Sequence, residues 1–427
     1  IVLESALPSV TSPNLTIEGE GYTLRRNPEA LAAFRILNIG SGTVIINNLS
    51  ISGGRAMTEA WPAGFAGGVF SGGSLTMNNC TLSDNQAWNG GAVRTGDIAS
   101  YGPSGFYNCT FIGNAATESG GAAFISAETT FENCTISGNS AATGTGGGIY
   151  SDAPLIMRSS TVYANTALSG AGGGVCCSSI GNFQNCTISA NSAPSGTGGG
   201  IYWYNIVTIE NCTVTGNSAN NGGGLASSET SITTLIGSIV SGNILTSADL
   251  YDYREIYLMG FFASQEPEGE QERYNVIGHS GQTTDEAFGF TPDPTDRICT
   301  SDGNIPTPIA SILDVLANNG GSTLTHALVA GSPAIDIAPV GPATDQRGYA
   351  RPVGAGFDAG AVEHGAVPTT PPGPTPDPTP TALLEEYEHH LVANTISPIH
   401  CDLDPNDILG ASPSHTVSAG ALPRHLG

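Results

Sequence analysis

The chain has 427 residues and a formal net charge of −25; its 12 basic residues are all arginine, and charged residues make up only 11% of it. That balance excludes a nucleic-acid or anionic-membrane binder, because counterion release needs clustered positive charge. No apolar run reaches the roughly 18 residues of a membrane helix, so no membrane span is expected, and the composition fits an acidic extracellular or cell-surface protein.

The chain begins at Ile1 rather than Met, which reads as a removed export signal or a trimmed product. Its first residues already look like strand. From Cys80 to Ser238 the chain repeats itself. One unit reads Asn133-Cys134-Thr135-Ile136-Ser137-Gly138-Asn139-Ser140, then a Gly-rich turn and Gly146-Gly147-Gly148-Ile149-Tyr150, and the spacing settles at 26 residues. The Cys position recurs as Cys80, Cys109, Cys134, Ser160, Cys186, Cys212 and Ser238. Five residues downstream stand Asn85, Asn114, Asn139, Asn165, Asn191, Asn217 and Asn243, without exception.

A fixed period of this size signals a solenoid. In Val207-Thr208-Ile209-Glu210-Asn211 and Cys212-Thr213-Val214-Thr215 apolar and polar residues alternate, and Asn and Gly clusters break each run, so a unit is two or three short strands joined by bends. Such strands bury an apolar face only when each pairs with its copy in the next coil. The predicted fold is therefore all-β, a right-handed parallel β-helix advancing about 4.8 Å per coil. Stacking makes each position meet itself. The seven asparagines are expected to form a structural ladder at a bend, bonding to unpaired backbone and to one another. Leu82, Phe111, Ile136, Val162, Ile188, Val214 and Val240 form one inward column, and Val93, Ala123, Ile149, Val175, Ile201 and Leu225 a second. The glycines at 146–148 and 198–200 fit a turn that needs positive φ and close coil approach.

Five of the nine cysteines share one column. Side chains there point the same way about 4.8 Å apart, whereas a disulfide needs Cβ atoms near 3.8 Å, so a buried stack of free thiols and serines is expected. One of Cys176 and Cys177, adjacent on a strand, should face outward. Cys299 and Cys401 lie outside the ladder and are candidates for a bridge. The sequons opened by Asn79, Asn108, Asn133, Asn185 and Asn211 follow from their place at a bend.

Residues 246–273 and 279–308 read as insertions. The first is aromatic and acidic, and Tyr251, Tyr253, Tyr257, Phe261 and Phe262 are its candidate interaction residues; the alternative is a loop folded over the flank. The charged residues Asp336, Asp345, Arg347, Arg351, Asp358 and Glu363 read as turn and cap partners. Residues 366–381 are a Pro/Thr-rich, polyproline-like linker, and 382–427 a short tail without an apolar span. The solenoid domain is thus placed at 1–365.

The repeats resemble those of bacterial surface β-helix proteins, including the chlamydial polymorphic outer-membrane type, through Gly90-Gly91-Ala92-Val93 and Phe111-Ile112-Gly113-Asn114. The wider resemblance is to the choice-of-anchor Q family. It rests on Asn318-Asn319-Gly320-Gly321-Ser322, His326-Ala327-Leu328, Gly331-Ser332-Pro333-Ala334-Ile335-Asp336, Thr344-Asp345-Gln346-Arg347-Gly348, Arg351-Pro352 and Phe357-Asp358-Ala359-Gly360-Ala361-Val362-Glu363. This resemblance implies a β-helix over residues 1 to 365 and a linker leading to a surface-anchoring segment.

For function, the sequence is read as an extracellular structural subunit that self-assembles head-to-tail into a surface fibre or sheath, its linker and tail contacting a neighbour. The alternative is a monomeric adhesin or cell-wall protein. Its partners are then copies of itself or a cell-surface glycan. Polysaccharide cleavage is third, since pectate lyases and polygalacturonases share the fold. Their chemistry needs clustered carboxylates, and in the column Asn78, Tyr107, Glu132, Arg158, Gln184, Glu210 the two acids stand three coils apart, about 14 Å. No catalytic residue, cofactor or metal is assigned; His389-His390 lacks a ligand set.

Overall fold

The computed structural model describes residues 1–11, 14–59, 63–96, 102–246, 253–262 and 272–368. One coil of the repeat contains four short strands, here Leu155–Arg158, Thr161–Tyr163, Thr166–Ala167 and Val175–Cys177. Each pairs in parallel with its equivalents in the coils before and after. The stack therefore has four sheets, called I to IV in that order, which among the described residues hold 10, 12, 8 and 9 strands. This is the parallel β-helix that the 26-residue period predicts, with four strands per coil instead of two or three.

Three residues per coil take left-handed backbone, and these turn the chain between sheets. The sequon position does so at Asn79, Asn108, Asn133, Ser159, Asn185 and Asn211, with φ between 48 and 55°. Asn tolerates this region better than most side chains, which accounts for its recurrence. The residue before the ladder Asn does so at Asp84 and Ala190, and the first turn glycine at Gly146 (φ 67°) and Gly198 (φ 66°). The next glycine is fixed by contact: a Cβ on Gly147 would sit 2.3 Å from the Gly173 carbonyl oxygen of the following coil.

Both predicted apolar columns face inward and are fully buried. Sheet II carries Leu82 through Val240 in register, and sheet IV carries Val93 through Leu225. Sheet I adds Met77, Phe106, Phe131, Met157, Phe183 and Ile209, with the Phe106 and Phe131 rings stacked at 4.8 Å.

The two segments read as insertions still feed the stack. Ile256–Leu258 pairs with Leu225–Ser227 in sheet IV, and Phe261–Phe262 with Ile232–Thr233 in sheet I. Val276–Ile277 and Arg297–Ile298 then extend sheet II. A short helix, Thr284–Ala287, lies between them, and Phe288 bridges to Ile256.

Residues 309–363 do not add a coil; they run back along the outer face of sheet II as a strap. Gln346 is its main anchor: its oxygen accepts from Thr187 Oγ1 at 2.6 Å, and its amide donates to Thr161 Oγ1 at 2.8 Å and Thr323 Oγ1 at 2.9 Å. His326 Nε2 meets Ser189 Oγ at 2.9 Å, and the Ala361 and Gly360 amides donate to Thr213 Oγ1 and the Gly237 carbonyl. An antiparallel pair, Leu313–Ala317 with Thr325–Leu328, stiffens it.

Candidate functional site

The ladder asparagines are buried at 0–1% exposure. Asn85, Asn114, Asn139, Asn165, Asn191, Asn217 and Asn243 form one buried chain, each Nδ2 donating to the Oδ1 of the next at 2.8 to 3.0 Å. Each of these acceptor oxygens also takes the backbone amide of the preceding ladder residue, as Asn217 Oδ1 does from Asn191 N at 2.9 Å. In the Cys/Ser column the side chain instead donates back to a core carbonyl of the preceding coil, from Cys134 Sγ to Phe106 O at 3.2 Å and from Ser238 Oγ to Ile209 O at 3.4 Å. A hydroxyl and a thiol serve that bond equally, which explains why the sequence exchanges them. Cys80, Cys109, Cys134, Cys186, Cys212, Cys176, Cys177 and Cys299 are all buried free thiols, and Cys401 lies outside the described residues.

Both columns end on a carboxylate. Asn243 donates through Nδ2 to Glu255 at 2.7 Å, and the Gly242 and Asn243 amides and Gln282 Nε2 also donate to that side chain. Beyond Ser238 the other column continues as Asn275 and Asp296, with the Asn275 amide 2.9 Å from Asp296 Oδ1. A carboxylate only accepts, so it closes a chain in which each residue's link to the next member of its column is a donation toward the C-terminal end. Burial pushes Glu255 up to about 7 and raises Asp296. For an acid whose folded value lies above its unfolded one, the folded state holds the extra proton. This stabilisation is present below the unfolded value near pH 4.5 and lost as pH rises through about 7. Glu255→Gln should therefore flatten the fall in stability between pH 5 and 8, a term of about 3 kcal/mol, read from urea midpoints across that range.

The strap's carboxylates are bound by groups of the strap itself. Asp345 accepts from the Arg347 guanidinium at 2.6 Å and from the Arg347, Tyr349 and Glu363 amides. Asp336 accepts from Ala355 and Gly356, Asp358 from Asp336 and His364, and Glu363 from Val353 and Asp358. Arg351 lies 3.5 Å from Glu363. These are backbone clamps. Glu132 and Arg158 are register neighbours on sheet I, and Glu118 accepts from Trp88 and Asn89.

The aromatic candidates divide. Tyr253 and Tyr257 stack with centroids 5.9 Å apart, and with Glu229, Leu258, Met259, Gly289 and Phe290 they line a groove of about 480 Å³. The Ile256–Leu258 strand sets this up by turning Ile256 inward and Tyr257 outward. The Tyr253 amide is fixed to Asn221 Oδ1 at 3.0 Å, and its ring lies over Gly289, where a Cβ would come 2.3 Å from the hydroxyl. Phe261 and Phe262 belong to sheet I and not to the sheet IV strand that carries this groove, and Tyr251 lies outside the described residues.

Sequence reasoning missed that the groove ends a longer stripe. The outer column of sheet IV reads Phe70, Arg94, Phe124, Tyr150, Cys176, Tyr202, Ala226, Tyr257 in unbroken register. The signal was present as the residue after each inward apolar one. Arg94 is sandwiched between the Phe65 and Phe124 rings at 4.1 and 4.7 Å and donates to Ser126, which bonds Asp152. Phe124 contacts Tyr150 at 4.8 Å, and Tyr202 contacts Tyr204 at 4.9 Å. Cys176 occupies an outward position, as expected for one of the pair, but it is not exposed: Tyr150 and Tyr202 flank it in register, the turn at Gly172 packs against it, and burial pushes its thiol up to about 12.

Residues 69–245 match the family model described as the right handed beta helix region. That span holds the regular coils and most of the aromatic stripe. Neither the curated proteins nor the solved structures give a match to this chain.

Proposed function

We propose that this protein is an extracellular surface rod of the bacterial β-helix type, a monomeric adhesin or cell-wall protein that recognises a glycan through the outer face of sheet IV. One observation carries the reading: an aromatic stripe lies along one face and opens at Tyr253, Tyr257 and Phe290 into a groove. Aromatic rings with polar edges, aligned on a rigid support, are the usual equipment of a binding surface. The closing segment from Asn318 to Glu363 supports a choice-of-anchor Q affiliation, and with it a surface location. Binding is favoured over cleavage because the buried strap carboxylates already accept backbone amides.

Head-to-tail assembly into a fibre is the second reading. Its favoured clasp is the linker and tail, residues 366–427, which beyond residue 368 lie outside the described residues. Against edge-to-edge stacking, among the described residues both side-chain ladders close on an acid, Glu255 and Asp296, and not on a further ladder residue. Negative-stain microscopy of the full chain and of a chain ending at residue 365 should show single rods in both. Filaments that vanish on truncation would establish the fibre subunit instead.

Among the described residues no helix is long and apolar enough to cross a membrane. A glycan array probed with the full chain and with Tyr257→Ala tests the binding reading. Retention that falls at least tenfold in the variant is expected, and equal retention or none at all would overturn it.

A further inference from the structure

The spacing within the stripe carries more than its presence. From Tyr150 onward, large and small residues alternate from coil to coil: Tyr150, Cys176, Tyr202, Ala226, Tyr257. Tyrosines therefore recur every second coil, an advance of about 10 Å along the axis, and Cys176 and Ala226 leave a low point between them. Both small residues are buried, so the alternation makes a row of ridges and not a continuous wall.

Resting on the binding reading above, we infer that this row is the recognition site for a neutral, extended polysaccharide of β-1,4 type, lying parallel to the solenoid axis. In such a ribbon every second ring presents the same face, at nearly the interval set by two coils. The apolar face of a pyranose stacks on a tyrosine ring, while its equatorial hydroxyls reach polar groups at the ring's edge. Those groups are present along the stripe. The Tyr150 hydroxyl meets Ser178 Oγ at 3.3 Å, Ser126 and Asp152 border the column on the successive coils of Phe124 and Tyr150, and Tyr204, 38% exposed, stands edge-on to Tyr202. Glu229 and the Tyr253–Tyr257 stack close the far end.

Charge selects among glycans. With a net −25 and no lysine, the chain repels polyuronates and sulfated chains, and the one arginine in the column, Arg94, is 7% exposed beneath Phe65 and Phe124. Geometry selects further: helical or branched glucans do not keep a straight two-ring repeat over the four coils from Tyr150 to Tyr257, about 19 Å.

The test uses the full chain against β-1,4-linked gluco- and N-acetylglucosamine oligosaccharides of two to eight rings, with amylose-type oligomers and oligogalacturonates as comparators. Affinity for one of the β-1,4 series should rise at least a hundredfold from two to about six rings and then level off, and the comparators should bind at least tenfold more weakly. Tyr202→Ala should remove most of that gain, while Tyr202→Phe, which keeps the ring, and Tyr22→Ala, on another part of the rod, should keep it. Circular dichroism melts establish that each variant is folded. Binding that prefers a branched or anionic glycan, or that ignores chain length, overturns the ligand class but leaves a glycan-binding surface. Absence of binding to every glycan overturns both. Self-association abolished by Tyr202→Ala identifies a second copy as the occupant and overturns the inference.

Discussion

Asn191→Ala is expected to destabilise the solenoid by about 4 kcal/mol, with the damage centred on two coils. The side chain makes four bonds at once: its oxygen accepts from the Asn165 backbone amide at 3.0 Å and Asn165 Nδ2 at 2.9 Å, and its amide donates to the Val162 carbonyl and Asn217 Oδ1, both at 2.9 Å. Alanine leaves two donors and a carbonyl without these partners in a fully buried corner. Each orphan costs about 1–3 kcal/mol, far more than a surface bond returns. The exposed Asn205→Ala should stay within about 0.5 kcal/mol. Because coils contact only their neighbours, the loss should weaken coupling between the two halves of the rod and broaden the melt before it shifts the whole curve. Hydrogen exchange gives the sharper reading. The Asn165 amide, which donates to Asn191, should exchange orders of magnitude faster, while the Asn85 amide in the distant Asn85–Asn114 pair should keep its protection. Uniform loss of protection along the ladder would mean that the rod unfolds as one unit.

The Asn ladder was legible because stacking forces one position to repeat one chemistry, so seven asparagines at a constant offset from the Cys position mark a shared bond. The inward columns were legible for the same reason. What ends the ladders was not. Glu255 stands 12 residues beyond Asn243 and Asp296 stands 21 beyond Asn275, so neither falls on the 26-residue grid, and each occurs once. The outer aromatic column escaped notice because an outward position tolerates many residues. Phe70, Arg94 and Cys176 do not resemble one another, and only register reveals them as one line. The footprint of the strap had no signal at all. Thr occupies the outer position of sheet II beneath it, at Thr161, Thr187 and Thr213, and also beyond it, at Thr81, Thr110 and Thr135.

Arg351→Met is expected to release the strap while leaving the coils folded. Arg351 is buried, lies 3.5 Å from Glu363, and donates to the Gly360 carbonyl at 2.6 Å and to Asn211 Oδ1 at 3.4 Å, so it ties the strap both to itself and to a sheet bend. Removing it strands the fully buried Glu363 without its counter-ion, a loss of about 3–5 kcal/mol for a buried pair broken on one side. The coils keep their ladders, since Thr187 and Thr213 exchange strap partners for water. Limited proteolysis should then cut within residues 309–368 at rates at least a hundredfold above the parent, leaving a resistant core. Acid should reverse the effect. Burial already raises Glu363, and without the arginine it rises further, so the variant's strap is docked with a protonated Glu363 at low pH and lost as pH climbs. Glu363→Gln added to Arg351→Met removes the stranded charge and keeps an acceptor for one of the Val353 and Asp358 amides, which bind separate oxygens of Glu363. It should recover about 1–2 kcal/mol and abolish the pH dependence. If neither variant is cut faster than the parent at any pH, the strap is held by Gln346 and its threonines, and the ion pair contributes nothing to its docking.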